Sequence, residues 1–265
     1  MSTIKPIFLL ADSQLLFWRD EEGRRFLDRA REMIAADAPE KQPGAAYLGA
    51  SNGDALEFYE LFVAAMAEIG IRDCRQIPSQ PTDEDFAFLE QADLILLAGG
   101  DVRRGWEVFA KTGLKDKLTS RYYAGAVLMG VSAGAVQLGL KGWEEDGSKL
   151  FDTLSLVPFV VDAHDEPSWS SLLAAVAGMG EHARGLGLPT GGGALYHPDY
   201  SVEPVRHPLT EVERTENGPR QALLFPGDTG EAAAAADEPR VVSQEEILER
   251  VTRDLDRSGP DDPVN

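Results

Sequence analysis

Short apolar runs alternate with longer amphipathic stretches along the first half of the chain. Runs of roughly four to eight apolar residues bounded by turn residues are typical of buried strands in a parallel sheet. The stretches between them carry apolar residues near helical spacing, as Phe26, Ala30, Met33 and Ile34 do within residues 21–36. The pattern predicts strands with the sequences KPIFLLA, GAAYLGAS, RDCRQIP, DLILLAGGD and AVLMGVS.

Strands that alternate with helices need crossover connections, which make the strands parallel and put helices on both faces of the sheet. We therefore expect an α/β fold, a three-layer sandwich with a mostly parallel central sheet flanked by helices. Two helix starts are also predicted, one capped by Asp54 and one with a capping box formed by Thr82 and Asp85. Ligands of such sheets bind at the carboxyl ends of the strands, where three glycine turns fall: GASNGD, AGGD and GVSAG.

The second half of the chain is less regular. An apolar strand leads to His164, a helix follows it, and residues 184–205 predict a pair of strands joined by a glycine-rich turn. Because the composition changes near Thr210, we expect an α/β domain over residues 1–210 and a C-terminal extension over residues 211–265. The extension is predicted to hold one strand, a linker and an amphipathic helix. The apolar stripe of that helix needs a partner surface, so a homodimer is one interpretation.

The protein is strongly acidic, with 25 Lys and Arg against 45 Asp and Glu and a formal net charge of −20. Such a chain repels phosphate backbones, so nucleic-acid binding is not expected. No apolar run approaches the roughly 18 residues of a membrane span, and the N-terminus lacks signal-peptide features. A single cysteine, Cys74, allows no internal disulfide and suits the cytoplasm. We expect no metal and no cofactor, because no ligands cluster at metal-binding spacing.

Residues 130–134 have the sequence GVSAG, a G-x-S-x-G pattern between a strand and a helix. At such a turn Ser132 would project its hydroxyl above the sheet, and the N–H of the next residue, Ala133, would face a developing oxyanion. The alternative is a structural serine in a glycine-rich bend, but the position between strand and helix favours a nucleophile. Gly99 and Gly100 end the preceding strand and are candidates for the second oxyanion donor, although a plain strand-to-helix turn explains them equally well.

A serine nucleophile needs a base to take its proton. Of the four histidines, His182 lies at a predicted helix end, and His197 and His207 precede prolines in turns. His164 follows an apolar strand, as Ser132 does. We therefore expect these two residues at strand carboxyl ends of one sheet, within or near hydrogen-bond reach of each other.

These motifs resemble, over about residues 5–205, the peptidase family that contains aspartyl dipeptidase (peptidase E) and cyanophycinase. The resemblance implies a fold akin to class I glutamine amidotransferases and a serine hydrolase that cleaves a peptide or isopeptide bond of a small peptide. It also implies Ser132 as nucleophile, His164 as base, and Gly100 and Ala133 as the oxyanion donors. The motifs that carry it are LLAGGD, GVSAGA, FVVDAH and GLGLPTGGGALYHPDYSVEPV.

The sequence departs from the family where an acidic residue of the late strand pair orients the histidine. Pro189 and Thr190 stand at that place here. We predict that Asp146 orients His164 instead, with a backbone carbonyl or the Thr190 hydroxyl as weaker alternatives. Three further carboxylates flank the histidine, but sequence neighbours rarely reach the required geometry: Asp162, Asp165 and Glu166.

The substrate class also departs from the family. Its dipeptidases recognise an acidic side chain with an arginine downstream of the histidine, and no arginine follows His164 before Arg184. A preference for acidic substrates is therefore not expected. Two other functions stay open: a peptide- or metabolite-binding protein on the same fold that has lost catalysis, and an amidotransferase-like transfer of an acyl group to an amine.

Overall fold

The apolar runs predicted as strands form the central sheet of the computed structural model, which describes residues 3–37, 39–144, 149–180, 182–216 and 218–227. The first five strands are mutually parallel, and the strand order of the sheet is β11-β10-β1-β5-β4-β2-β3. The members are β1 (Ile7–Leu10), β2 (Gly44–Leu48), β3 (Asp73–Ile77), β4 (Leu94–Leu97), β5 (Val127–Val131), β10 (Gly193–Tyr196) and β11 (Val202–Val205).

Helices cover both faces of this sheet. Successive side chains of β1 point to opposite sides, so Ile7 and Leu9 pack into one apolar core while Phe8 and Leu10 pack into another. The three-layer α/β architecture with a mostly parallel sheet is therefore confirmed. The helices are α1 (Asp28–Asp37), α2 (Leu56–Glu68), α3 (Asp83–Leu89), α4 (Val102–Thr112), α5 (Leu114–Tyr123), α6 (Ala133–Leu138) and α7 (Ser170–Ala177).

A second sheet carries the histidine strand. Its order is β13-β12-β9-β8, with β8 parallel to β9 and the other pairs antiparallel. Helix α7 packs on it through a third apolar cluster that includes Trp169 and Leu172. The strands are β8 (Val160–Ala163), β9 (Arg184–Leu188), β12 (Leu209–Thr215) and β13 (Gly218–Leu224), and a separate antiparallel pair is formed by β6 (Lys141–Trp143) and β7 (Leu150–Asp152).

This second sheet corrects three expectations. Ser132 and His164 follow strands of two different sheets, not of one. The late strand pair is not a hairpin, because β9 pairs with β8 and β12 while β10 pairs with β1 and β11. The region after Thr210 holds two strands where one was expected, since β12 continues past that residue and β13 folds back on it. Residues 228–265, with the predicted amphipathic helix, lie outside the described residues.

The two predicted helix starts have different outcomes. The capping box is present: the Thr82 hydroxyl accepts the Asp85 N–H, and the Asp85 carboxylate accepts the Thr82 N–H at 2.8 Å. The prediction that Asp54 caps α2 is wrong, because Ala55 is the residue at the cap position and the Asp54 carboxylate accepts the Ser79 N–H instead. None of the described helices is long and apolar enough to cross a bilayer.

Candidate active site

Ser132 occupies a sharp turn between strand β5 and helix α6. Its backbone has φ 49° and ψ −110°, a region that side chains rarely adopt outside tight functional turns. The Ser132 N–H donates to the Leu10 carbonyl at 2.8 Å, which ties the turn to the end of the neighbouring strand β1. The hydroxyl is thereby held at the carboxyl edge of the central sheet.

The two glycines that bracket Ser132 allow α6 to pack directly against the sheet. A Cβ on Gly130 would lie 2.5 Å from the backbone nitrogen of Ala135, in the first turn of α6. A Cβ on Gly134 would collide with the carbonyl oxygen of Leu97, at the end of β4. The G-x-S-x-G spacing is thus required by contacts between main-chain atoms.

His164 follows β8 and reaches Ser132 from the second sheet. Its Nε2 lies 2.9 Å from the Ser132 Oγ. The histidine also has a positive φ, 60°, and its N–H donates to the Leu188 carbonyl at 3.1 Å, so the turn is anchored to the end of β9. The side chain is exposed to solvent, which leaves the pair accessible to a ligand.

Two of the residues predicted to form the oxyanion site, Ala133 and Gly99, are direct neighbours of the serine. Ala133 is the first residue of α6, and the first N–H groups of a helix have no acceptor within it. Gly99 is close enough that a Cβ there would lie 3.4 Å from the Ser132 Cβ. Gly100 has φ 129° and packs against the Ser51 carbonyl, where only a glycine fits.

The buried side chain of Gln137 fixes the loop that carries these glycines. It donates to the Ser51 hydroxyl at 3.1 Å and to the Val102 carbonyl at 2.9 Å. Helix α6, the turn after β2 and the start of α4 are thereby joined behind the glycine pair. Sequence reasoning missed Gln137, although its place in the helix after the serine could have indicated a role in support.

The predicted positioning residue, Asp146, lies outside the described residues. Among the carboxylates that the structure does describe, none is within ion-pair distance of the His164 ring. Glu166 is held in the same turn, where its Oε1 accepts the Thr190 N–H at 3.0 Å. Burial alone would raise the pKa of Glu166, but hydrogen bonding from Thr190 and the nearby His164 hold that pKa below its usual value.

The Glu166–Thr190 contact was not predicted from sequence. Thr190 stands where the resembling family has its acid, and here it binds a carboxylate from another loop. Asp162 has a different environment: it is buried, and its carboxylate accepts the Ala163 N–H at 2.8 Å. Burial raises the pKa of Asp162 to about 7. No group of three metal-ligating side chains occurs among the residues that are described.

A pocket of about 270 Å³ opens beside the pair and is lined by Ser132, His164, Gly99 and Gly100. Its walls are mostly apolar and come from a 3-10 turn at Ser13–Leu16, from α2 and from the ends of β2 and β4. Asp12 is its carboxylate, and the Asp12 Oδ2 accepts the Gly191 N–H at 2.6 Å. The wall residues that sequence reasoning missed include Leu16, Tyr47, Phe58, Leu61, Phe62 and Leu96.

Comparison with family models identifies the family of this chain, and comparison with solved structures supports the fold. The family model for peptidase family S51 matches residues 7–189 of this chain. The structure is similar to that of a peptidase from an acI-B1 actinobacterium, with a TM-score of 0.65 and 14% identity over 85% of this chain and 96% of that one. A protein from Listeria monocytogenes EGD-e, provisionally described as a peptidase E, gives a TM-score of 0.49 and 16% identity over 84% of this chain and 100% of that one. No curated protein sequence gave a match.

Proposed function

Because the chain belongs to peptidase family S51 and is therefore a serine-type peptidase, we propose that Ser132 is its nucleophile and His164 its general base. The observation that carries this proposal is the 2.9 Å contact between the Ser132 Oγ and the His164 Nε2. That distance is within the range over which a base can take the proton of a nucleophile. The substrate is a small peptide, cleaved at a peptide or isopeptide bond.

In the proposed reaction, the His164 Nε2 accepts the hydroxyl proton while the Ser132 Oγ attacks the carbonyl carbon of the scissile bond. The N–H groups of Gly100 and Ala133 stabilise the oxyanion that forms. The protonated His164 then gives its proton to the leaving nitrogen, and the carbon–nitrogen bond breaks to leave an acyl-enzyme. A water molecule, activated by His164, hydrolyses this ester and restores the free serine.

The strained turn at Ser132 supports the assignment. A serine with φ 49° is costly to hold unless the surrounding structure imposes the conformation, and such strain concentrates at functional sites. Here the conformation is imposed by close packing at Gly130 and Gly134 and by the hydrogen bond from the Ser132 N–H to the Leu10 carbonyl. A purely structural serine would not need its hydroxyl beside a histidine and an apolar pocket.

The experiment is labelling with a fluorophosphonate probe, paired with hydrolysis of a panel of dipeptides. We expect Ser132→Ala to abolish labelling and to lower kcat by at least about 10⁴-fold. Ser120→Ala, an exposed serine of α5, is the matched control and should retain both. Labelling at another serine, or wild-type hydrolysis by Ser132→Ala, would overturn the assignment.

A peptide-binding protein without turnover is the second candidate. It is favoured by one observation: no carboxylate among the described residues is within ion-pair distance of the His164 ring. An imidazole without an orienting partner samples unproductive tautomers and directions. A wild-type protein that binds peptides in calorimetry, but is not labelled and hydrolyses none of the panel, would support this candidate.

A further inference from the structure

The pocket beside Ser132 has the chemistry of a side-chain subsite. Its volume of about 270 Å³ lies just under the usual range for drug-sized ligands, so it suits a single side chain. The nucleophile and Gly100 line it, so a side chain inside it belongs to the residue whose carbonyl group reaches Ser132.

Its walls offer mainly apolar contacts. Leu16, Phe62 and Leu96 are almost completely buried around it. No lysine or arginine is among the described residues that line it, and its carboxylate, Asp12, would repel an acidic group. Arg104 lies beside Gly53 in the adjacent turn but does not line the pocket.

Two large apolar side chains of α2 stand at the pocket and are only partly covered. Phe58 is 48% exposed and Leu61 is 42% exposed, and they lie three positions apart on one face of the helix. An apolar group that entered the pocket would remove part of this surface from water, which is favourable. An acidic group would lose its hydration without gaining a partner. Both oxygens of Asp12 already accept main-chain N–H groups, those of Gln14 and Gly191, so the wall is not built around a free carboxylate.

We infer that this pocket binds an uncharged, apolar side chain, aliphatic or aromatic, of the residue that supplies the scissile carbonyl. The inference rests on the proposed function and names the substrate class of the same site. Specificity follows from wall residues of α2, chiefly Leu61 and Phe58. Since no lysine or arginine is among the described wall residues, the pocket selects against aspartyl and glutamyl substrates.

The test compares kcat/KM for dipeptides that differ only in the acyl-side residue: leucine, phenylalanine or aspartate. We expect the wild type to prefer leucine and phenylalanine over aspartate by at least about tenfold. Leu61→Arg should lower kcat/KM for the leucine substrate and raise it for the aspartate substrate. Leu56→Arg is the matched control, since Leu56 lies on the same helix, is 58% exposed and does not line the pocket.

A wild-type preference for aspartate would overturn the inference, as would equal effects of the two arginine variants. Binding of the same dipeptides to Ser132→Ala in calorimetry separates this inference from the proposed function. If the wild type hydrolyses nothing but Ser132→Ala still binds the leucine dipeptide more tightly than the aspartate dipeptide, the catalytic proposal fails and the apolar subsite stands. If binding shows no preference for the apolar side chain, the subsite is wrong whatever the catalytic result.

Discussion

Ser132 and His164 each follow a parallel strand and each have a positive φ, 49° and 60°, but they are held in place by different kinds of contact. The serine turn is fixed by main-chain atoms: its N–H donates to the Leu10 carbonyl, and Gly134 packs against the Leu97 carbonyl. The histidine side chain is exposed, and its turn is anchored through a few bonds to the end of another strand.

The difference indicates which of the two turns, that of Ser132 or that of His164, tolerates substitutions. Main-chain packing around the serine tolerates almost no added atoms, so its motif must stay intact. Around the histidine the contacts are fewer: the Glu166 carboxylate accepts the Thr190 N–H, and no described carboxylate is within ion-pair distance of the ring. Substitution of the glycines that flank Ser132 is therefore expected to lower stability, and substitution of His164 to lower the rate.

The largest expected effect is on the histidine itself. His164→Ala removes the base 2.9 Å from the serine hydroxyl, so kcat for a leucyl dipeptide should fall by about 10⁴-fold or more while the melting temperature stays close to that of the wild type. The control is His182→Ala, another exposed histidine, which should keep full activity. A loss of less than tenfold in His164→Ala would mean that another group takes the proton.

On the serine side, the expected loss is in stability. Gly134→Ala forces a methyl group into the Leu97 carbonyl, so the free energy of unfolding should fall by about 3–5 kcal/mol. Gly180→Ala is the matched control, because no atom lies within 4 Å of the added Cβ there. Urea titration of both variants measures the difference. Similar midpoints would show that the turn at Ser132 can shift to accommodate the added methyl group.

The sequence indicates the serine side more fully than the histidine side, for a physical reason. Gly130 and Gly134 act within a few residues of Ser132, so a local motif is enough to predict the turn. The sheet that carries His164 depends on pairing between β8, β9 and β12, partners distant in the chain that periodicity cannot select. The apolar wall residues Phe58 and Leu61 were missed because only the tertiary fold brings α2 beside the serine.

Helix α5 illustrates the same limit on a smaller scale. It was not predicted, because Gly113 alone separates it from α4 and its apolar positions are sparse. That glycine has φ 79°, which lets the chain turn without an intervening loop. The α/β class is predicted correctly even without α5, because an additional helix in the same crossover leaves the strand order unchanged.

A third prediction asks which carboxylate supports His164. Asp146→Asn, the residue predicted from sequence, should lower kcat by about 10²- to 10⁴-fold if it orients the imidazole. Glu166→Gln should lower kcat by only about tenfold, because Glu166 acts on the His164 ring through its charge and not through an ion-pair contact. Both losses should appear in kcat with KM little changed.

The reverse order of these two effects would identify Glu166 as the positioning residue and exclude Asp146. Glu166→Asp is the informative companion variant, since it keeps the charge but shortens the reach to the Thr190 N–H. Recovery of activity in that variant would show that charge near the histidine matters more than the bond to Thr190.

The smallest expected effect concerns Asp162, two residues before His164. Burial raises the pKa of this carboxyl to about 7, and nearby Asp165 adds to the rise. In the unfolded chain the pKa returns to roughly 4, so between about pH 4 and pH 7 the folded state holds a proton that the unfolded state has released. The free energy of unfolding of the wild type therefore falls as the pH rises through that window, and the contribution of this group is retained in full only at low pH.

Asp162→Asn keeps an oxygen that can accept the Ala163 N–H but has no proton to lose. The variant should accordingly gain about 2–3 kcal/mol of unfolding free energy relative to the wild type on going from pH 5 to pH 8. Asp116→Asn, an exposed carboxyl of α5, should show no such pH-dependent gain. A stability difference between Asp162→Asn and the wild type that stays the same from pH 5 to pH 8 would mean that Asp162 is ionised in the folded state throughout this range. The strand that leads to His164 would then carry a buried charge.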